Sequence, residues 1–363
     1  MGLSCGIIGL PNVGKTTIFN ALVGAQAVAA NYPYSTVETN LGIAAVPDLR
    51  LTTLTRVFRS KKTTPSTLEI RDIAGLVQGA SHGEGLGNQF LSQIREVDAL
   101  LHVVRCFQNP DVMHVAGDVD PVRDISTIET ELMLADLDTL ERRKQRVEKR
   151  LRAGDAKAGK EKAILEKFIE LLNRNTWLGS QSLTSEERLI LNECQLLSAK
   201  PVLYLANASE MEGMENPHVQ AIVELAEKRG ARAMRLCGQL EAEVSTLEES
   251  EREAYLQELG LSESGLVRLA RVAYELLALI TFFTANEEEA HAWPLRKGTK
   301  AQEAAGKIHS DMERGFIRAE VYGYADLIAC ETPAGVREKG LFRLEGRDYV
   351  IKEADIVFFR FNV

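Results

Sequence analysis

Apolar and polar positions alternate in two periods along this chain. "LSCGIIGL" is a short apolar run with β-favouring Ile7 and Ile8, closed by Gly and Pro, which predicts a buried strand; a helix is expected over 15–24. "TLEIRDI" (67–73), "ALLHVVRC" (99–106), "PVLYLA" (201–206) and "RAMRLC" (232–237) read as further strands, and "NPHVQAIVELAEKRG" (216–230) as a helix ending at Gly230. Strands alternating with helices predict an α/β domain with a mostly parallel, helix-covered sheet.

The strand signal stops between Ile125 and Ala199. Met133, Leu137, Leu140, Val147 and Leu151 follow 3/4 spacing broken only by Lys144, and a second helix carries Ile164, Leu165, Phe168, Leu171 and Leu172. The polar turn "AGDAKAGK" (153–160) separates them, so an antiparallel helical hairpin inserted at 125–199 is expected. At ~1.5 Å per residue a helix of ~25 residues would project on the order of 40 Å. Helical patterning returns in "GLVRLARVAYELLALITFF" (265–283), and the rest reads strand, turn, helix, strand and then short strands, a small α+β module.

At 363 residues, two or three domains are expected. No apolar run is long enough to span a membrane, and the start lacks a signal-peptide pattern. Five scattered cysteines without a C-x-x-C pair suit a reducing cytoplasm and argue against zinc or a disulfide frame. The net charge of −9 argues against general nucleic-acid binding. The charge is uneven, however. "ERRKQRVEKRLR" (141–152) holds seven basic residues, and Lys157, Lys160 and Lys162 extend them around the turn, so any nucleic-acid contact should be local, at the hairpin.

"GLPNVGKT" matches G-x-x-x-x-G-K-[ST] between a strand and a helix. The amides of Asn12, Val13, Gly14, Lys15, Thr16 and Thr17 then face a nucleotide's phosphates, with Lys15 supplying charge and the Thr16 hydroxyl a Mg²⁺ ligand. "DIAG" (72–75) ends a strand: Asp72 would act on Mg²⁺ and the Gly75 amide would sense the γ-phosphate, while Thr36 in "ANYPYSTVETN" is placed to close over the metal. The four glycines of "GASHGEGLGNQF" (79–90) fit a mobile switch loop better than a dinucleotide site. Leu76 stands where many switch GTPases carry a water-orienting Gln, so unaided hydrolysis should be slow, with His114 as a candidate helper.

In "YLANASE" the purine-side motif reads Asn207, Ala208, Ser209, Glu210 where a guanine reader usually shows Asn-Lys-x-Asp. Adenine lacks the amino group that an Asp carboxylate would accept from. Keeping Asn207 while altering the acid favours ATP over GTP, or weak discrimination; a degraded GTP site stays open. A small-molecule kinase would need a second catalytic constellation, which is not found, and a scaffold merely ordered by nucleotide is the other rival.

"GLPNVGKTTIFNAL", "ANYPYSTVETNLG", "DIAGLVQGASHGEGLGNQFL", "HVVRCF" and "NASE" together resemble the YchF/Obg-like ATPase family, from residue 2 to the C-terminus. The resemblance implies a G-type domain over 1–124 and 200–277, an inserted coiled-coil hairpin over 125–199, and a ubiquitin-like TGS domain (β-grasp) over 278–363. It also implies an N-x-x-E motif with ATP preferred, a hydrophobic residue after D-x-x-G, a catalytically important His matching His114, and association with the ribosome, chiefly its large subunit. Thr16 stands where many relatives have Ser, which keeps the hydroxyl.

Overall fold

The computed structural model describes residues 3–27, 41–73, 86–210 and 213–362. Among these the chain forms twelve strands: β1 Ser4–Ile8, β2 Leu41–Val46, β3 Lys62–Thr64, β4 Ser66–Asp72, β5 Ala99–Arg105, β6 Val202–Asn207, β7 Arg232–Leu236, β8 Leu279–Ala285, β9 Glu289–Arg296, β10 Phe316–Gly323, β11 Arg343–Glu345 and β12 Asp355–Phe361. They make two six-stranded sheets, β2-β4-β1-β5-β6-β7 and β11-β10-β12-β8-β9-β3. By internal contacts the chain divides into two units, Met1–Gly42 with Glu69–Leu269, and Ile43–Leu68 with Ala270–Val363.

In the first unit β1 lies parallel between β4 and β5, and β5, β6 and β7 follow in parallel register. Every residue of β1, β5 and β6 is buried, which is why these strands read as unbroken apolar runs. Helix α1 (Lys15–Ala27) leaves β1 through the glycine loop. Parallel strands put their carboxyl ends on one edge, where α/β sheets hold ligands. Ile8, Asp72, Arg105 and Asn207 all stand at such ends.

Helix α2 (Leu49–Phe58) and α3 (Leu86–Glu96) precede the hairpin, whose first arm, α4 (Pro121–Arg152), is a single helix of 32 residues, ~48 Å long at 1.5 Å per residue. Asp120 caps it by accepting from the Arg123 amide, and Pro121 occupies the first turn. Met133, Leu140 and Val147 are buried as the spacing predicts, but Leu151 is exposed at the tip. The second arm, α5 (Ala158–Asn173), buries Leu165, Phe168, Ile169 and Leu172. The base of α4 is fixed by two buried carboxylates. Asp136 accepts from the Leu197 and Ser198 amides at 2.8 and 2.7 Å and from the Ser198 hydroxyl at 2.6 Å. Glu129 accepts from the Tyr204 hydroxyl and pairs with Arg229.

In the second unit β8 runs antiparallel to β9 and parallel to β12, and β12 antiparallel to β10, which pairs with β11. Counted within 279–361, the strand order is 2-1-5-3-4 with a helix (Ala301–Ile308) after the second strand, the β-grasp arrangement. Helical patterning through residue 283 is corrected here. The helix ends at Leu276, Ala278 takes a positive φ of 51°, and 279–285 is β8. A continuous apolar run suits a helix and a central strand equally, and pairing on both sides decided it. The segment 43–68, read from sequence within the first domain, packs in the second unit. β3 pairs parallel with β9, and Leu51 and Leu54 of α2 join the core of Phe283, Ala290, Ala292 and Ile356. Among the described residues no helix is long and apolar enough to cross a membrane.

Candidate nucleotide site

The glycine loop needs its glycines for two separate reasons. Gly9 and Gly14 hold φ of +149° and +97°, which side chains rarely adopt. A Cβ on Gly9 would stand 2.4 Å from the Val103 carbonyl oxygen, and one on Gly14 would stand 2.3 Å from Asn207 Nδ2. The loop is therefore wedged against β5 and against the purine-side Asn. Lys15 is buried and donates from Nζ to the Leu10 carbonyl at 2.8 Å, so its charge crosses the loop it follows. Burial holds its ammonium below the ordinary lysine pKa, with the nearby Asp72 carboxylate opposing the shift.

Thr16 and Asp72, both expected to act on Mg²⁺, lie side by side: Thr16 Oγ1 donates to Asp72 Oδ2 at 2.9 Å. Among the described residues the second carboxylate oxygen, Asp72 Oδ1, is buried without a hydrogen-bond partner. A buried carboxylate oxygen with no donor is costly unless a cation or water meets it. The pair thus fits a hard divalent cation held by oxygen ligands. Thr36, Gly75 and Leu76 lie outside the described residues. Beside Thr16 and Thr17, Asn20, Ala21, Gly24, Ala242, Ser245 and Thr246 line a cavity of about 570 Å³.

Asn207 is used as a brace. Its Nδ2 donates to the Val13 carbonyl at 2.9 Å and its Oδ1 accepts from the Gly238 amide at 2.9 Å, tying the phosphate loop to the segment after β7. Among the described residues the second Nδ2 proton has no acceptor. Ala208 is buried and its amide donates to the Leu236 carbonyl, whereas Glu210 is exposed at the end of the turn. Arg235 donates to the Ser209 and Glu210 carbonyls at 2.8 and 3.2 Å, fixing that turn from below.

His114 sits in the loop after β5. Its side chain is only 3% exposed. Nε2 lies 2.8 Å from Asp124 Oδ2, and the Ala116 amide donates to Nδ1 at 3.1 Å. The loop is shaped by Arg105, which donates to the Phe107, Val112 and Asn109 carbonyls. It reaches the phosphate loop where Asn12 Nδ2 donates to the Met113 carbonyl at 3.3 Å. His102, inside β5, is pushed down to about 3, first by burial and then by Arg229 and Lys15, so it is no proton carrier at neutral pH. Arg105, Asp124 and Arg235 carry no sequence signal. Arg105 and Arg235 act through backbone carbonyls and Asp124 through His114, ten residues away, which leave no recognisable spacing.

At the hairpin, four of the seven basic residues of 141–152 are spent on neighbouring carboxylates. Arg142 pairs with Asp138, Arg143 with Glu161 and Glu193, Lys144 with Glu141 at 3.9 Å, and Arg150 with Asp155 and Glu161. Lys162 pairs with Glu148 and Glu166. Among the described residues Arg146, Lys149, Arg152, Lys157 and Lys160 are exposed without an ion pair, all near the tip.

Three comparisons bear on this geometry. A family model described as a 50S ribosome-binding GTPase matches residues 4–138, and the YchF-GTPase_C model, described as a protein of unknown function, matches 279–362. "Ribosome-binding ATPase YchF" of Haemophilus ducreyi is 48% identical over 363 residues, and the protein of that name from Bacillus subtilis is 49% identical over 366, each covering 100% of both chains. The solved structure of the Schizosaccharomyces pombe YchF GTPase is 36% identical, covers 99% of this chain and 98% of its own, and superposes with a TM-score of 0.90. The names of these relatives differ on the base, one saying ATPase and the other GTPase.

Proposed function

This chain belongs to the YchF family, and we propose that it is a slow, Mg²⁺-dependent ATPase switch of the cytoplasm that binds the ribosome. The observation that carries the reading is the set of groups meeting at one sheet edge: the glycine loop with Lys15, the Thr16–Asp72 pair with its unpartnered Oδ1, and Asn207 bracing the loop. Lys15 and the loop amides bind and orient the phosphates. Thr16 and Asp72, with Thr36, would hold Mg²⁺, which when bound neutralises charge on the β- and γ-phosphates. Asn207 and Ala208 meet the purine. His114 is the residue proposed to orient the attacking water, and Leu76 supplies no such group.

ATP is proposed over GTP because the turn holds no lysine stem beside the purine and its acid, Glu210, is exposed and one methylene longer than the guanine-reading Asp. The names of relatives that say ribosome-binding support a ribosomal partner, and the unpaired cations of the tip fit contact with ribosomal RNA of the large subunit. In this reading 1–42, 69–124 and 200–277 handle nucleotide, 125–199 contact the partner, and 278–363, joined by 43–68, form a TGS module. The test is parallel titration of ATP and GTP with Mg²⁺ present. Tighter ATP is expected; GTP winning by about tenfold, ~1.4 kcal/mol, would sink the adenine reading.

A further inference from the structure

His114 and Asp124 pose a contradiction. The proposed water-orienting residue has no free polar atom. An amide N–H donating to Nδ1 requires a lone pair there, so the ring proton sits on Nε2 and is donated to Asp124. A neutral imidazole has two polar positions, and both are consumed inside the protein, behind side chains that are 3% and 4% exposed. As placed, His114 can orient no water.

The group that consumes the proton is itself firmly held. Asp124 Oδ1 accepts from Arg123 Nε and NH2 at 3.3 and 3.2 Å. Asp124 lies in the first turn of α4, where the helix dipole favours a carboxylate. On the other side, the backbone one residue before His114 already touches the phosphate loop, through the Asn12 bond to Met113. His114 thus stands beside the nucleotide site but is turned into the start of the hairpin helix.

We propose that Asp124 is a positioning residue that withholds His114: the Nε2–H bond to its carboxylate stabilises an inactive placement, and hydrolysis proceeds from the minor population in which the ring has let go. The proposal rests on the reading of His114 as the water-orienting group. Hydrogen bonds to charged groups are stronger than neutral ones, so removing the carboxylate should shift the released population by about tenfold. While that population is small, turnover rises in proportion.

The experiment measures phosphate release at saturating ATP and Mg²⁺, without any partner, for wild type, Asp124→Asn, Asp124→Ala, His114→Ala and the double variant His114→Ala/Asp124→Ala. The amide of Asp124→Asn still accepts a neutral hydrogen bond and keeps the shape of the turn, so it tests the idea even if Asp124→Ala folds poorly. Expected are a kcat about threefold up in Asp124→Asn and about tenfold up in Asp124→Ala, with KM for ATP within twofold of wild type. The double variant should be as slow as His114→Ala alone. Damage to the fold would lower kcat; a gain that needs His114 is not a structural side effect. A fall or no change in kcat for the Asp124 variants, with His114→Ala slow, overturns the withholding role alone. A gain that persists in the double variant overturns it too, by moving it to another residue. Unchanged kcat in His114→Ala sinks the His114 reading and the proposal with it.

Discussion

The phosphate side of the site and the His114 loop are neighbours, joined through Asn12 and Met113, yet they are prepared in opposite ways. On the phosphate side groups are left in wait: among the described residues Asp72 Oδ1 has no partner and one Asn207 amide proton is unspent. In the loop everything is spent, with both ring nitrogens of His114 bonded and three donors of Arg105 placed on carbonyls. Under the proposed role of His114, the contrast teaches that capture of nucleotide is preformed in this fold while its breakdown is not. Such a division suits a switch, whose bound state must last long enough to be read.

The sharpest way to break the comparison is Gly14→Ala. The new Cβ meets Asn207 Nδ2 at a position of φ +97°, so the preformed loop must give way. Nucleotide affinity is expected to drop on the order of 100-fold, about 2.7 kcal/mol by the affinity arithmetic, in titration with a fluorescent ATP analogue. Binding close to wild type would mean that the brace is dispensable. Asp72→Asn is milder. It keeps an acceptor but removes the charge, so the Mg²⁺ concentration for half-maximal turnover should rise about tenfold. An unchanged Mg²⁺ dependence would show that Oδ1 is not waiting for the ion. The smallest effect carries the contrast between spent and waiting groups to the hairpin. Lys149→Gln removes an unpaired cation, and ribosome pelleting should weaken a few-fold, with the salt slope falling by about one. Arg142→Gln removes a cation already paired with Asp138 and should leave pelleting nearly unchanged. Equal losses would mean that surface pairing does not decide which cations reach the partner.

What could be read from sequence follows from what is local. The strand–glycine loop–helix unit, Asp72 at a strand end and the arms of the hairpin are each set by spacing within a few residues. Their geometry appears where expected: Thr16 on Asp72, and Met133, Leu140 and Val147 facing inward. Asn207 could be seen, but not its use as a brace, because its partners Val13 and Gly238 are far away in sequence. The same holds for His114: its residue type suggested chemistry, while its engagement depends on Asp124, one helix onset later. The chain from 43 to 68 was illegible for a similar reason. Only three residues of β3 pair with β9, too few to leave a periodic signal.

That last segment has a consequence for how the protein is made. Thr64 bonds to Glu289, 225 residues further along the chain. At synthesis rates of ~5–20 residues per second, β3 and the apolar face of α2 wait roughly 10–45 s for the strands that cover them. During that interval Leu51 and Leu54 belong to no finished core, although residues on either side can already pair in the first sheet. The last strands to be synthesised therefore close a gap opened near the beginning, and a chain released short of β9 would leave it open.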